Sequence, residues 1–259
     1  MDLDRPAALR RECADVALFC RDLTDQEWSR PSAAPGWRVQ DVIAHISGSC
    51  RAIFTSSLAL MTTKDIERTN DVYVDRRRDW TPQQVCAEFE RWSPRLTTLT
   101  RLLSRTPVAK VGMPPGELGT FPAGVLLNSA LVFDWHTHLR YDVAPVLGRA
   151  APPVDEERMA VVLEWMLAVL GNQLRAAHPS WLDRPVSLTL TGPGGGSWLV
   201  GSDLRITSGD PADGAARIAG QAEDFPGWGT TRTPWRDADV KIDGDTHYGA
   251  RFLDALNVV

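Results

Sequence analysis

The spacing of hydrophobic positions predicts helices over the first two thirds of the chain. Apolar residues recur at helical intervals over 8–23 and over 39–61. Thr81 followed by Pro82 is a typical helix start, and that third helix is expected to reach about residue 103. A fourth helix is predicted over 123–141. Four long helices joined by loops are typical of a helical bundle.

Polar segments separate these predicted helices. Residues 63–79 are polar and charged, and the arginine run 76–78 is expected to lie in solvent. Residues 107–122 are rich in proline and glycine and predict a loop. A proline-containing break over 145–153 precedes a strong fifth helix at 155–177.

The last third of the chain changes from helical spacing to alternation. Strands are predicted at the short apolar segments 186–190, 197–200, 204–207 and 240–242, with a glycine turn at 192–196 and a closing helix over 249–256. The pattern predicts an α+β protein. We expect a helical bundle over 1–150, a helical connection over 151–180 and a small α+β domain over 181–259.

Composition narrows the class of protein. The 259 residues are 43% hydrophobic and 24% charged, as in ordinary globular proteins, and the net charge of −5 argues against nucleic acid or an anionic membrane as partner. The four cysteines form no C-x-x-C pair, so we expect reduced core thiols in a cytoplasmic protein. We find no export signal or membrane-spanning apolar run, and expect a soluble, unexported chain.

Three residues on two predicted helices form a candidate metal-binding set. His45 lies early in the second helix, and Asp134 and His138 lie four residues apart in the fourth. That spacing places Asp134 and His138 on one helical face. Two imidazoles and one carboxylate are a ligand set that leaves a metal position open for chemistry. The alternative is a core histidine, a surface aspartate and an unrelated Asp–His helix pair.

Other residues near these candidates have weaker signals. His136 points away from the Asp134–His138 face and is interpreted as a neighbour of the ligands. Trp37 and Trp135 flank the proposed ligands and are candidate pocket walls. Arg232 lies in the segment WGTTRTPWR at 228–236, and its planar fork suits carboxylate binding. Composition alone favours a surface loop with solvated arginines there.

Several segments, taken in order, resemble the mycothiol-dependent maleylpyruvate isomerase family of DinB-like metalloenzymes. The first is WSRP at 28–31, followed by PGW at 35–37 and VQDVIAH at 39–45. The segment DWHTHLRYD at 134–142 is similar to the family's fourth helix, except that Asp134 replaces a glutamate. WGTTRTPW at 228–235 and RFLDALNVV at 251–259 are similar to the family's sterol-carrier-like second domain.

The resemblance implies a metalloenzyme that uses a thiol. It implies that His45, Asp134 and His138 hold zinc or another divalent ion, and that mycothiol is cosubstrate or cofactor, contacted by Trp37, Trp135 and a catalytic Arg232. The ion would lower the thiol pKa. The expected activity is isomerase or S-transferase chemistry on a small electrophile, by a monomer or homodimer. A hydrolase that activates water and a non-catalytic binding protein are the alternatives.

Overall fold

The chain folds into two compact units, and the boundary between them in the sequence lies between Pro153 and Val154. We analysed a computed structural model that describes residues 3–55 and 66–258. The first unit is helical and the second combines helices with a five-stranded sheet, which confirms the predicted α+β class. No helix within the described ranges is both long enough and apolar enough to cross a bilayer.

The described part of the first unit contains the four predicted long helices and two shorter ones, at 25–29 and 66–75, that the sequence did not predict. These are α1 (Arg5–Arg21), α2 (Asp25–Ser29), α3 (Val39–Ala52), α4 (Ile66–Asp75), α5 (Pro82–Leu103) and α6, a continuous run over 123–147. Within α6, Leu126–Ala130 and His138–Val143 are π-helical. The second helix was predicted to reach Met61, but α3 ends at Ala52 and turn residues follow over 53–55; the rest of the predicted extension lies outside the described residues. The segment predicted as a loop contains a small antiparallel ladder, β1 (Gly112–Met113) with β2 (Phe121–Pro122).

Local side-chain bonds explain where two of the long helices start. Asp4 accepts a hydrogen bond from the Ala7 amide at 3.0 Å at the start of α1. Thr81 and Gln84 form a reciprocal capping box, in which each side chain accepts the other's backbone N–H. Pro82 then occupies the first turn of α5, where its missing N–H costs nothing.

Helix α4 lies within the segment that the sequence predicted to be polar and exposed. Tyr73 and Val74 are buried there, and so is Arg77 just beyond the helix. The expectation that Arg77 is solvated is therefore wrong. Its guanidinium donates to both carboxylate oxygens of Glu88 on α5, at 2.6 and 3.0 Å, so the charge is neutralised inside the bundle.

Packing within the first unit brings α3 and α6 side by side. Both α1 and α3 pack on α5, α1 also contacts α6, and α3 contacts the second π-helical segment of α6. The centre of this bundle contains fully buried apolar side chains, among them Leu9, Val16, Ile43, Leu96 and Leu139. The contact between α3 and α6 is what allows His45 to meet residues of the fourth predicted helix.

The second unit has a mixed sheet, and the helix over Thr246–Asp254 packs on two of its strands. Its strands are β3 (Val186–Thr191), β4 (Gly196–Val200), β5 (Ile206–Ser208), β6 (Ala216–Gln221) and β7 (Lys241–Gly244), and its helices are α7 (Glu156–Ala177), α8 (Phe225–Gly229) and α9 (Thr246–Asp254). The strand order is β5-β4-β3-β6-β7, with β3 and β6 parallel and the other pairs antiparallel.

Two features of this unit differ from expectation. Helix α7 belongs to the second unit, although its segment was expected to be a separate connection. Strand β6 lies at the sheet's interior and was missed because its sequence, ARIAGQ, contains alanine and glycine where strands usually carry bulky residues. Burial nevertheless alternates along β6, as in a strand with one covered face.

Candidate metal centre

The three predicted ligands lie together in the first unit. Nε2 of His45 on α3 lies 3.0 Å from Oδ2 of Asp134 on α6. Nε2 of His138, one turn further along α6, lies 3.4 Å from the other oxygen of Asp134. One ligand atom from each residue lies within 4.8 Å of the others. The fold thus joins a histidine to an Asp–His pair that is 89 residues away in sequence.

The PGW motif positions His45 through a turn and a helix start. Gly36 has φ of 78°, a left-handed conformation that glycine adopts without strain. The chain then enters α3 after Arg38, whose backbone amide donates to Asp41 at 2.9 Å while its guanidinium binds the same carboxylate at 2.9 and 3.0 Å. This fixes the first turn of α3 and thereby the direction of His45 in the next turn.

A second carboxylate binds the ring nitrogen of His138 that faces away from Asp134. Its Nδ1 lies 2.7 Å from Oδ2 of the buried Asp142, and its Nε2 is the nitrogen that faces Asp134. His138 also begins a π-helical segment, a feature often found at functional sites. A carboxylate bound to the far nitrogen of a histidine fixes the ring's tautomer and orientation when the ring serves as a metal ligand. Sequence reasoning missed this role of Asp142, although the i,i+4 spacing from His138 was available.

Burial and charge are unevenly distributed over the cluster. His45 and His138 are only 3% and 9% exposed, whereas the Asp134 side chain is 30% exposed, so solvent reaches the site beside that carboxylate. Burial alone would raise the pKa of Asp134, but the charges and hydrogen bonds of the two imidazoles hold it well below its ordinary value. Burial would lower the pKa of His138, yet Asp134 and Asp142 together raise it to about 9.

Trp37 forms an aromatic wall over both histidines. Its ring centroid lies 5.3 Å from that of His45 and 5.9 Å from that of His138, and the planes of Trp37 and His138 are inclined by 29°. The indole N–H donates to Asp71 on α4 at 3.2 Å, which holds the ring in place. Asp71 was also missed from the sequence, because no helix was predicted in its segment.

Trp135 and His136 lie in the core beside the cluster. Trp135 is fully buried, donates from its indole N–H to Ser49 at 3.3 Å and meets the ring of Phe89 edge-on. This environment favours a packing role for Trp135 over the cofactor contact that was expected of it. His136 is buried on α6, as expected for a residue on a different face from Asp134 and His138.

Arg232, the predicted clamp, and Arg236, its comparison residue, lie close together in the sequence of the second unit. Arg236 stacks 4.2 Å over the Trp235 ring and binds both oxygens of Asp254, at 2.6 and 3.0 Å. Arg232 is exposed and follows Thr231, whose φ of 60° marks a tight turn. Arg236 thus has a structural partner that satisfies its fork, and the catalytic role of Arg232 stays a prediction.

The chemistry of the cluster fits a divalent metal ion. Two imidazole nitrogens and an ionised carboxylate are the protein ligands of catalytic zinc sites, which keep a further position for substrate or solvent. The Asp142–His138 bond supplies the outer support that such ligands usually have. The shorter reach of aspartate compared with glutamate is met here by close approach of α3 and α6, since Asp134 already contacts both imidazoles.

Comparison with known sequences places this arrangement in context. Residues 9–144 match the family model described as the mycothiol maleylpyruvate isomerase N-terminal domain. Two relatives, both named as uncharacterized proteins, come from two strains of Mycobacterium tuberculosis. Each is 26% identical over 256 residues, with 92% of this chain and 89% of the relative covered.

Solved structures show the same fold. A crystal structure of the mycothiol-dependent maleylpyruvate isomerase aligns with a TM-score of 0.59 at 14% identity, covering 93% of this chain and 92% of that one. A mutant of that isomerase aligns with a TM-score of 0.58 over the same shares. At this identity the likeness concerns the fold. Since the family model matches more than half of the sequence, this chain belongs to the mycothiol maleylpyruvate isomerase N-terminal domain family.

Proposed function

We propose that this protein is a metal- and mycothiol-dependent enzyme, an isomerase or thiol S-transferase that acts on a small electrophilic substrate. The observation that carries the proposal is the convergence of His45, Asp134 and His138 within a domain of this family. The structural neighbours are named as mycothiol-dependent, and this supports mycothiol as the thiol.

The proposed metal, zinc or another divalent ion, would be held by Nε2 of His45, Nε2 of His138 and a carboxylate oxygen of Asp134. When bound, such an ion supplies Lewis acidity that lowers the pKa of a coordinated thiol at neutral pH. The protein's own part is to keep Asp134 ionised, which the two neighbouring imidazoles do. Asp142 accepts a hydrogen bond from Nδ1 of His138, and this orients the ring so that Nε2 faces the cluster.

Access to the site is set by Trp37 and Asp134. The Trp37 ring covers the two histidines from one side and keeps solvent away from their faces. The partly exposed Asp134 side chain marks the open approach. A thiol cosubstrate and an electrophile entering there would meet an aromatic surface on one side, which suits an apolar or planar substrate.

We further propose that Arg232 serves the reaction as an anion clamp. A guanidinium binds a carboxylate through two parallel hydrogen bonds, a geometry that lysine cannot reproduce. Electrophiles that carry a carboxylate are the substrate class this residue would favour. Arg236 cannot take this role without giving up Asp254.

Cobalt substitution tests the thiol dependence directly. Protein loaded with Co²⁺ in place of the native ion should develop sulfur-to-cobalt absorption when mycothiol is added, because thiolate coordination produces charge-transfer bands. The Asp75→Asn variant, altered at an exposed site on α4, serves as a folded control. Cobalt binding without any spectral response to mycothiol would contradict the thiol mechanism and favour activated water. Failure of the protein to bind cobalt would contradict the metal site itself.

A further inference from the structure

A second site of interest in the first unit is a cavity that none of the three candidate ligands lines. This cavity of about 230 Å³ opens between α1, α3 and α5. Its floor includes the apolar side chains of Trp28, Ile43 and Phe89. Exposed polar side chains of Arg21, Gln83 and Glu90 line the same cavity, so a polar molecule can reach it from solvent.

Two cysteines line this cavity together. Cys20 lies near the end of α1 and Cys86 lies in the second turn of α5. Both side chains border the same cavity, and the two thiols shift each other's pKa. Cys20 is buried and Cys86 is partly exposed, so a reagent in the cavity meets Cys86 first.

The pKa values of the two thiols are shifted in opposite directions. Donation from Cys20 lowers the pKa of Cys86, against the opposing effects of burial and of Glu90. The same hydrogen bond, together with burial, raises the pKa of Cys20. Thiolate character and access decide which cysteine attacks in thiol chemistry, and both favour Cys86.

The remaining two cysteines provide an internal comparison. Burial raises the pKa of Cys13 on α1 and of Cys50 on α3, and both thiols are buried. Neither of them lines the cavity. Their environments are those of inert structural cysteines.

We propose that Cys86 and Cys20 form a thiol–disulfide exchange site for low-molecular-weight disulfides, with Cys86 as the attacking thiol and Cys20 as the resolving thiol. In the first step the Cys86 sulfur attacks one sulfur of the disulfide RSSR, the S–S bond breaks and one RS⁻ leaves and takes up a proton. In the second step the Cys20 sulfur attacks Cys86 Sγ of the mixed disulfide, and the second RSH leaves. Overall, RSSR is reduced to two RSH and the two cysteines are oxidised to one disulfide that joins α1 to α5.

The site is independent of the proposed metal chemistry. The histidine cluster is formed by α3 and α6, whereas the two thiols lie on α1 and α5. The exchange is read by mass, so its outcome does not depend on whether the enzyme is active or loaded with metal.

Exchange with oxidised glutathione tests the proposal. Reduced full-length protein is incubated with oxidised glutathione, quenched, alkylated under denaturing conditions and mapped as non-reduced peptides. We expect a Cys20–Cys86 cross-link, with Cys13 and Cys50 alkylated. In Cys20→Ser a glutathione adduct should remain on Cys86, whereas Cys86→Ser should form neither product. Cys13→Ser, on the same helix as Cys20, is the matched control and should cross-link like the wild type.

A labelling experiment on the wild type keeps the proposal testable if a variant fails to fold. A limiting amount of a maleimide reagent should label Cys86 first, about tenfold or more ahead of Cys13 and Cys50. Absence of the Cys20–Cys86 cross-link in the wild type would overturn the proposal. So would a cross-link through Cys13 or Cys50, or labelling of Cys20 ahead of Cys86.

Discussion

Asp142 binds the nitrogen of His138 that faces away from Asp134, with 2.7 Å between Oδ2 and Nδ1. His138 thus lies between two carboxylates of the same helix, one on each ring nitrogen. The inner carboxylate belongs to the candidate ligand set, and the outer one is buried. This arrangement assigns the two acids different tasks, ligand for Asp134 and support for Asp142.

Replacing Asp142 by asparagine should weaken metal binding without removing it. The amide keeps the size of the side chain but loses the charge that holds the His138 ring, and loss of such support typically costs about 10- to 100-fold in metal affinity. Competition with a zinc chelator measures the change. Asp75→Asn, at an exposed aspartate of α4, should leave the affinity unaltered. Equal affinities for Asp142→Asn and the wild type would show that the outer carboxylate has no supporting role.

Variants of Trp37 and Trp135 should distinguish a side chain that contacts the ligand from one that packs in the core. Trp37→Ala should lower mycothiol affinity roughly two- to twelvefold, since an aromatic contact contributes about 0.5–1.5 kcal/mol. Trp135→Phe should leave that affinity intact while lowering the free energy of unfolding by about 1–3 kcal/mol, because Trp135 is fully buried. Calorimetric titration and urea unfolding on both variants test this division. Loss of mycothiol affinity in Trp135→Phe alone would reverse the assignment.

The buried Arg77–Glu88 pair should be a major source of stability in the first unit. Glu88→Gln removes the charge that neutralises Arg77, and breaking a buried pair costs about 3–5 kcal/mol. Asp75→Asn breaks an exposed pair with Arg78 and should cost less than about 1 kcal/mol. Urea unfolding of the two variants measures the contrast. Similar small losses in both would contradict the role given to burial.

The stability that the Arg77–Glu88 pair contributes should decrease as the pH falls. Burial by itself raises the pKa of Glu88, but Arg77 and the hydrogen bonds from Ser47 and Arg51 lower it overall. A carboxyl whose folded pKa is lowered adds stability above its unfolded pKa and loses it as the pH falls through the folded value. The free energy of unfolding of the wild type should therefore exceed that of Glu88→Gln by its full amount at neutral pH. Urea unfolding at decreasing pH should show this difference becoming smaller in acid.

Arg232 and Arg236 form a matched pair for testing the second unit. If Arg232 clamps substrate, Arg232→Ala should retain metal and folding but lower turnover about a hundredfold, the scale of losing one preorganised electrostatic group. Arg232→Lys should also be impaired, because lysine lacks the planar fork. Arg236→Ala should affect turnover less, since Arg236 is engaged with Asp254. Melting temperatures must be measured on the same proteins, and wild-type turnover in Arg232→Ala would reject the clamp.

Features set by local sequence were the ones that could be predicted. The four long helices of the first unit follow from apolar spacing and from the Thr81 start signal. The side-by-side placement of Asp134 and His138 follows from their spacing on one helix. The contact of this pair with His45 was a hypothesis from bundle geometry, and the structure brings the three together.

Features set by tertiary contacts could not be predicted. Strand β6 has weak strand propensity and is defined by its neighbours β3 and β7. The sequence does not distinguish Arg77 from its two neighbouring arginines, because its burial depends on the contact with Glu88. Cys20 and Cys86 line one cavity from two different helices, and no short motif in the sequence marks this pairing.

Metal content is the most direct test of the central claim that His45, Asp134 and His138 hold a divalent ion. Elemental analysis is made on protein purified without a polyhistidine tag, together with His45→Ala and His138→Ala variants shown to be folded by circular dichroism. The account predicts about one divalent ion per wild-type chain and loss of retained metal in each variant. Stoichiometric metal in both variants, or a folded wild-type protein that binds no divalent ion when zinc is supplied, would contradict it.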